Sequence, residues 1–397
     1  MLFSMCKSKK KMLKQVIEPE SLHLPSARSP SSRKSKKTLQ NSSSTPLDSG
    51  STSNFILPST ASTSTFNKGS WKSSVSSRNS LSGIRESVLP EQPHVYDLQE
   101  ISAATNSFFL KPHSSSSSST AWRCSIRDQP VIIFQRRLRR HTDTSQLVEQ
   151  LSVVCRSHHS SLVKLKGASI SGSCIYLVYE YVQGASLADC LINAKNPSFT
   201  VLSNWMSRIR VASDIAHGLD YVHNSMGLGF DFVHNHIHSS SIIIEEPLLN
   251  AKICHFGTAE LCGEVTRVNE GKKELKISDS KSKKFEGTRG YMAPEFQMSG
   301  IMTQKCDVYA FGVVILELLS GMEALRMWLD RRLNDSYPVE VVEKLTRLAL
   351  DCVVDDPEIR LDMGKVVVRI SQMFLESQNW SERMGTVTDI TVSIAPR

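Results

Sequence analysis

The chain has 397 residues, enough for a large core and for more than one domain. Its net charge of +8 is unevenly placed: residues 1–90 hold 14 Lys and Arg against 4 acidic residues, a net of +10, which leaves −2 for the remainder. The basic balance therefore belongs to a tail, which argues against a uniformly basic nucleic-acid-binding domain, and no nucleic acid is expected as a partner. Nine cysteines, an odd number with no C-x-x-C pair, point to thiols in a reducing compartment rather than to a disulfide frame or a zinc ribbon. The start is basic and lacks the apolar core of a secretory signal. The longest apolar run, VYAFGVVILELL at residues 308–319, is shorter than the ~20 residues that span a bilayer and reads as a buried helix. A cytoplasmic, non-secreted chain without a transmembrane helix is expected.

Residues 1–92 are rich in Ser, Lys, Pro and Thr with little apolar periodicity, and read as a disordered basic tail. Its first 14 residues, MLFSMCKSKKKMLK, set Cys6 beside the lysines from Lys7 to Lys14. A palmitoyl group on Cys6 together with that cluster would supply the two signals of peripheral attachment to the plasma membrane. The plain alternative is a solvated basic tail. A domain over 93–380 and a short tail over 381–397 follow. Residues 96–108, YDLQEISAATNSF, place Leu98, Ile101, Ala104 and Phe108 on one helical face. Strands are predicted over 121–125, 131–135, 162–167 and 175–182, with a helix over 145–155 whose stripe is Leu147, Leu151 and Val154. From residue 204 helices dominate, over 205–224, 307–321, 339–353 and 363–376. Strands first and helices after imply an α+β fold of two lobes, a small β-rich one and a larger helical one.

Six stretches in order carry a resemblance: ATNSF at 104–108, HHSSLVKLKG at 158–167, YLVYEYVQGASLADCL at 176–191, GTRGYMAPEF at 287–296, DVYAFGVVILELLSG at 307–321 and DCVVDDPEIRLDM at 351–363. Together they resemble the plant receptor-like protein kinase family, most of all its LysM-type receptor kinases, over residues 96–376 and without ectodomain or transmembrane helix. The resemblance implies the two-lobed protein kinase fold. It also implies that the chemistry-bearing positions are altered. The glycine-rich phosphate loop falls on residues 114–120, which contain no glycine. The lysine of the V-A-I-K strand becomes Phe134, or Gln135 if the register slips by one, and Ile132 adds bulk above the adenine position. The glutamate of the C-helix becomes Gln150, with Glu149 beside it. In the catalytic loop, HNHIHSSSI at 234–242, the aspartate becomes His236, the lysine His238, and the Mg²⁺-binding asparagine Ser240 or, fitting better, Ser241. The aspartate of D-F-G becomes His255.

Kinase catalysis is mostly positioning and charge stabilisation, so these losses imply a catalytically inactive pseudokinase acting as a scaffold or allosteric partner of receptor-like kinases or other signalling proteins. ATP and Mg²⁺ are expected only under the alternative, a weak or unorthodox serine/threonine kinase; a residual adenine pocket would then comprise Ala121, Ile132, Glu180, Tyr181 and Val182. A further alternative is a metal- or pH-sensing module built on His236, His238 and His255. The resemblance keeps the frame: His234 and Phe256 stacked between the lobes, Asp307 capping the catalytic loop, Glu295 paired with Arg360, and Gly312. The run GKKELKISDSKSKK at 271–284 reads as a solvated loop with Ser278, Ser280 and Ser282 as phosphate acceptors. The segment after Gly321 is short for the family and lacks part of its G-helix. If the tail anchors the chain, Cys6→Ser lowers its recovery in the membrane fraction on cell fractionation; unchanged recovery rejects the anchor.

Overall fold

The computed structural model describes residues 93–116, 119–139, 144–193, 195–196, 199–225, 232–264, 288–321, 329–334 and 336–388. The basic tail with Cys6, the serine-bearing run at 271–284 and the segment 322–328 lie outside them. The first lobe is a six-stranded sheet of β1 (His94–Val95), β2 (Ser114–Ser115), β3 (Ser119–Ile126), β4 (Gln129–Arg137), β5 (Leu165–Ser171) and β6 (Cys174–Glu180), in the order β1-β5-β6-β4-β3-β2. Only β1 and β5 pair in parallel. Side chains on β4 alternate as a strand requires. Val131 and Ile133 enter a core with Ile101, Ile126 and Val178. Ile132, Phe134 and Arg136 take the other face.

Helix α1 (Leu98–Ala104) is shorter than the predicted 96–108. Thr105 turns its hydroxyl back to the Ile101 carbonyl at 2.8 Å, and Asn106, Ser107 and Phe108 all have positive φ. The turn still delivers Phe108 to the core, where its ring meets Trp122 and Tyr176 at 5.6 and 5.5 Å. Helix α2 (Thr144–Arg156) buries the expected stripe of Leu147, Leu151 and Val154. The predicted strand over 162–167 pairs only from Leu165. Leu162 and Val163 instead bridge to Ile253, with Val163 N–H donating to its carbonyl at 2.9 Å. Their apolarity marks burial between the lobes rather than sheet pairing.

The second lobe holds α3 (Leu187–Leu191), α4 (Trp205–Asn224), α5 (Thr258–Leu261), α6 (Pro294–Ser299), α7 (Gln304–Ser320), α8 (Val339–Cys352) and α9 (Met363–Thr388), with a small sheet β7-β8-β9 (Gly184–Ser186, Ile242–Glu245, Asn250–Ile253). Helix α7 is buried all round from Cys306 to Ser320, as a helix apolar on every side must be. A Cβ on Gly312 would stand 2.7 Å from Cys352 Cβ, so only glycine lets α7 lie this close to α8. Between α7 and α8 the described residues form only a 3₁₀ turn, Arg331–Leu333, pinned by Asp330 to the buried Arg208 of α4 at 2.5 Å. Helix α9 continues past residue 380 to Thr388, locked to α4 by Trp205 Nε1, which donates to Ser377 Oγ at 2.9 Å. No disulfide joins the cysteines among the described residues. No described helix is long and apolar enough to cross a membrane.

The Arg360 guanidinium, fully buried, takes both oxygens of Glu295 at 2.6 and 3.0 Å and also donates to the carbonyls of Lys305 and Val354. Removing one side strands a buried charge. Arg360→Ala should therefore cost about 3–5 kcal/mol in urea unfolding. Lys344→Ala, at an exposed pair 2.7 Å from Glu376, should cost at most about 1 kcal/mol.

Candidate functional site

The site is organised from α7. Asp307, 1% exposed, accepts from the backbone N–H of His234 at 2.7 Å and of Asn235 at 2.8 Å, and lies 2.9 Å from His223 Nε2. Burial pushes its carboxyl up, but the hydrogen bond and charge of His223 outweigh that and hold it below the usual carboxylate range. Gripped at two successive amides, the loop turns through Asn235 at φ 62° and delivers His236, His238 and Ser241 to the space under β4. The Ser241 hydroxyl points back into the loop, towards the carbonyls of His236 and His238 at 2.6 and 2.8 Å, and accepts from His238 N–H at 3.1 Å. It is 1% exposed.

The turn after β9 supplies the second wall. His255 sits at φ 67° and Gly257 at φ 81°. A Cβ on Gly257 would stand 2.5 Å from Val154 Cγ1, so α2 bears directly on this turn. Phe256 is buried against Phe232, ring centroids 5.5 Å apart, where the sequence suggested His234 as its partner. Tyr179 donates to the Phe256 carbonyl at 2.7 Å. The register left open on β4 is decided here. The Phe134 ring meets His255 edge-on at 4.6 Å and Tyr179 at 5.9 Å, whereas Gln135 turns to Tyr176 and Cys174 on the opposite face. Gln150 of α2 leaves its buried Oε1 without a hydrogen-bond partner. Of the five adenine-pocket residues, Ala121 is buried and Tyr181 is covered by the Arg123 guanidinium, 3.9 Å from its ring. Glu180 turns its carboxylate to the Lys164 N–H at 3.1 Å, while Ile132 and Val182 are half-buried.

Two residues absent from the sequence reading enter the cluster. Glu264 Oε2 lies 2.9 Å from His236 Nε2, close but off the axis of an aligned hydrogen bond, and 3.2 Å from Asn235 Nδ2. Arg136 shares the strand face of Phe134, and its charge acts on His238, His255 and Glu264. Burial pushes Glu264 up, but His236 and then Arg136 bring it down to about 2. Period-two alternation from Phe134 could have found Arg136; the aperiodic segment around Glu264 carried no signal.

Burial dominates the protonation of His234, His238 and His255. Burial lowers His234 to about 3 and His238 to about 4, and holds His255 well below the ordinary imidazole range, with neighbouring imidazoles lowering all three further. The metal alternative draws on His236, His238 and His255. Among the described residues no group of three or more His, Cys, Asp or Glu is placed to hold an ion. His236 is engaged by Glu264, His238 lies against Tyr291 at 5.9 Å, and Phe134 walls off His255.

The profile described as protein tyrosine and serine/threonine kinase matches residues 125–370. The chain belongs to the protein kinase family. Among curated kinases it is 33% identical over 334 residues to LysM domain receptor-like kinase 3 of Arabidopsis thaliana, covering 74% of this chain and 48% of that protein. It is 32% identical over 267 residues to Chitin elicitor receptor kinase 1 of the same plant, covering 60% and 40%. The chain thus spans about half or less of the kinases it matches. The solved pseudokinase domain of BIR2, an immune regulator of the RLK/Pelle family, superposes with a TM-score of 0.56 at 22% identity, covering 75% of this chain and 94% of that domain, a likeness of fold.

The buried imidazoles give this kinase fold an acid-sensitive frame. Their folded pKa values lie below the ordinary 6.5, so the unfolded chain binds more protons between about pH 6.5 and 4. Stability is unaffected above that window and falls as pH drops through it, by up to ~1.4 kcal/mol per pH unit for each histidine. Urea midpoints across pH 7.5 to 4.5 check this, and His238→Asn should flatten the slope.

Proposed function

We propose that this kinase-fold chain is a pseudokinase: it transfers no phosphate and works by binding, as a scaffold or allosteric partner of active receptor kinases. The observation that carries the reading is the Phe134 ring packed 4.6 Å from His255, where the resemblance expects a lysine and a magnesium-binding aspartate. Mg²⁺ is a hard cation that takes oxygen ligands. His255 offers a neutral imidazole, and the Ser241 hydroxyl is already satisfied by loop carbonyls. Residues 114–120 supply no glycine to let backbone approach phosphates. Magnesium and ATP, the usual cofactors of this family, therefore do not fit these residues. An imidazole at His236 is capable of accepting a proton. Without a metal or a cation placed on the phosphates, it has no activated phosphoryl group to work on.

The retained frame supports a binding role, because Asp307, Gly312 and the Glu295–Arg360 pair hold the lobe surface whatever the cleft contains. The relatives' names as receptor kinases, and the immune regulator among the solved neighbours, support receptor-kinase signalling as the setting. The Cys6 and lysine signals support work at the cytoplasmic face of the plasma membrane.

The test is thermal unfolding of the full chain with ATP alone, with ATP and Mg²⁺, and with ATP and Mn²⁺, alongside phosphate transfer to casein. A ligand at 100 times its Kd would add ~2.7 kcal/mol. The expected outcome is an unchanged Tm and no transfer. A metal-dependent rise with transfer overturns the reading in favour of a weak serine/threonine kinase.

A further inference from the structure

Helix α9 packs along α4, and at their contact a serine meets an imidazole. His217 of α4 and Ser371 of α9, 154 residues apart in the chain, set Nε2 and Oγ 3.2 Å from each other. The other ring nitrogen, Nδ1, stands 2.8 Å from the Ser213 carbonyl oxygen, with the Ser213 hydroxyl at 3.4 Å. A carbonyl only accepts, so Nδ1 of the neutral ring carries the proton. Nε2 then presents its lone pair, and the Ser371 hydroxyl donates to it. A serine inside a helix can return its hydroxyl to the carbonyl four residues back, as Ser377 does to Met373 at 2.8 Å. Among the described residues the Ser371 hydroxyl has His217 as its partner instead. A hydroxyl, a base and a third group that orients the base are the arrangement that activates a nucleophile. Here the Ser213 carbonyl is the orienting group. His217 is exposed and Ser371 half-exposed, so a reactant in solution reaches both.

We propose that Ser371 is an acyl-acceptor site, which takes an apolar acyl group from a thioester with His217 as its general base. Two observations set this class of donor. Ser371 lies inside α9, whose backbone N–H groups are spent on the helix, so α9 supplies no amide to hold an oxyanion. The donor must therefore bring its own good leaving group, which a thiolate is and an amide nitrogen is not. Val368 and Leu375, three residues before Ser371 and four after it, share its side of the helix and are 67% and 58% exposed. They offer an apolar bed to the acyl chain. In the step, Ser371 Oγ bonds to the acyl carbon and its proton passes to His217 Nε2. The carbon–sulfur bond breaks, and the thiolate leaves with the electron pair and takes the proton from the imidazolium. The products are a serine ester and a free thiol. The proposal is independent of whether the cleft under β4 takes nucleotide.

The experiment treats the full chain with the octanoyl and acetyl thioesters of N-acetylcysteamine. Intact mass and peptide mapping read the product after neutral hydroxylamine, which strips acyl groups from cysteines and leaves serine esters. The serines of residues 1–92 are the reference for ordinary hydroxyls. The expected result is a hydroxylamine-resistant octanoyl group on Ser371, formed faster than on the reference serines and faster than the acetyl group. Ser371→Ala should remove it, and His217→Gln should slow it roughly 100-fold. Leu375→Ser should bring the octanoyl rate down towards the acetyl rate. His217 and Leu375 are exposed, and circular dichroism and Tm report that each variant is folded. Labelling of Ser371 no faster than of the reference serines overturns the proposal. So does an unchanged rate in folded His217→Gln, or equal rates with the two thioesters in the unaltered chain.

Discussion

Everything at the lobe junction hangs on one buried carboxylate. Asp307 projects from a helix with no polar face, and a lone carboxylate there would be expensive to bury. Two backbone amides of the loop and His223 satisfy it, and in doing so they fix the loop's path. The same helix is brought close to α8 by the missing Cβ of Gly312, and its start is held by Arg360, which donates to the Lys305 carbonyl. Loop, helix and ion pair form one rigid support, and none of its members depends on what fills the cleft above it.

The cleft itself is held by a different kind of force. Phe134, Tyr179 and His255 meet as aromatic edges and faces, where the family's resemblance expects opposite charges. Ring contacts act over a few ångströms and are indifferent to salt, whereas ion pairs reach further and are screened. The remaining charge is displaced to the side: Glu264 sits with His236 and Arg136, on a strand and a segment that the family's motif does not mark. Burial then keeps three of the histidines neutral, since a charged imidazole would have to be desolvated.

Much of the architecture was legible in one dimension. Strand alternation in 131–135, the Leu147–Leu151–Val154 stripe and the uniformly apolar run at 308–319 are local patterns, and each became the element it suggested. The errors came where apolarity meant something other than pairing. Leu162 and Val163 are buried by the other lobe, and Phe108 is carried into the core by a left-handed turn rather than by more helix. The site was legible only as a set of residue types. That His236, His238 and His255 stand where charged residues were expected, and Ser241 where an asparagine was, follows from motif order.

By itself, then, the sequence determined the family, the two-lobed α+β fold, the frame of Asp307, Gly312, Glu295 and Arg360, and the identity of the altered positions. Those properties reside in residue type and spacing along the chain. The tertiary structure alone decided that Phe134 rather than Gln135 faces His255, that the Ser241 hydroxyl is turned inward, and that Glu264 and Arg136 join the histidines. It also buried His234, His238 and His255, which favours their neutral forms. Burial, hydrogen-bond direction and electrostatic coupling depend on distances in space between segments far apart in the chain, such as His223 and Asp307, separated by 84 residues yet 2.9 Å apart, and no local pattern encodes those distances.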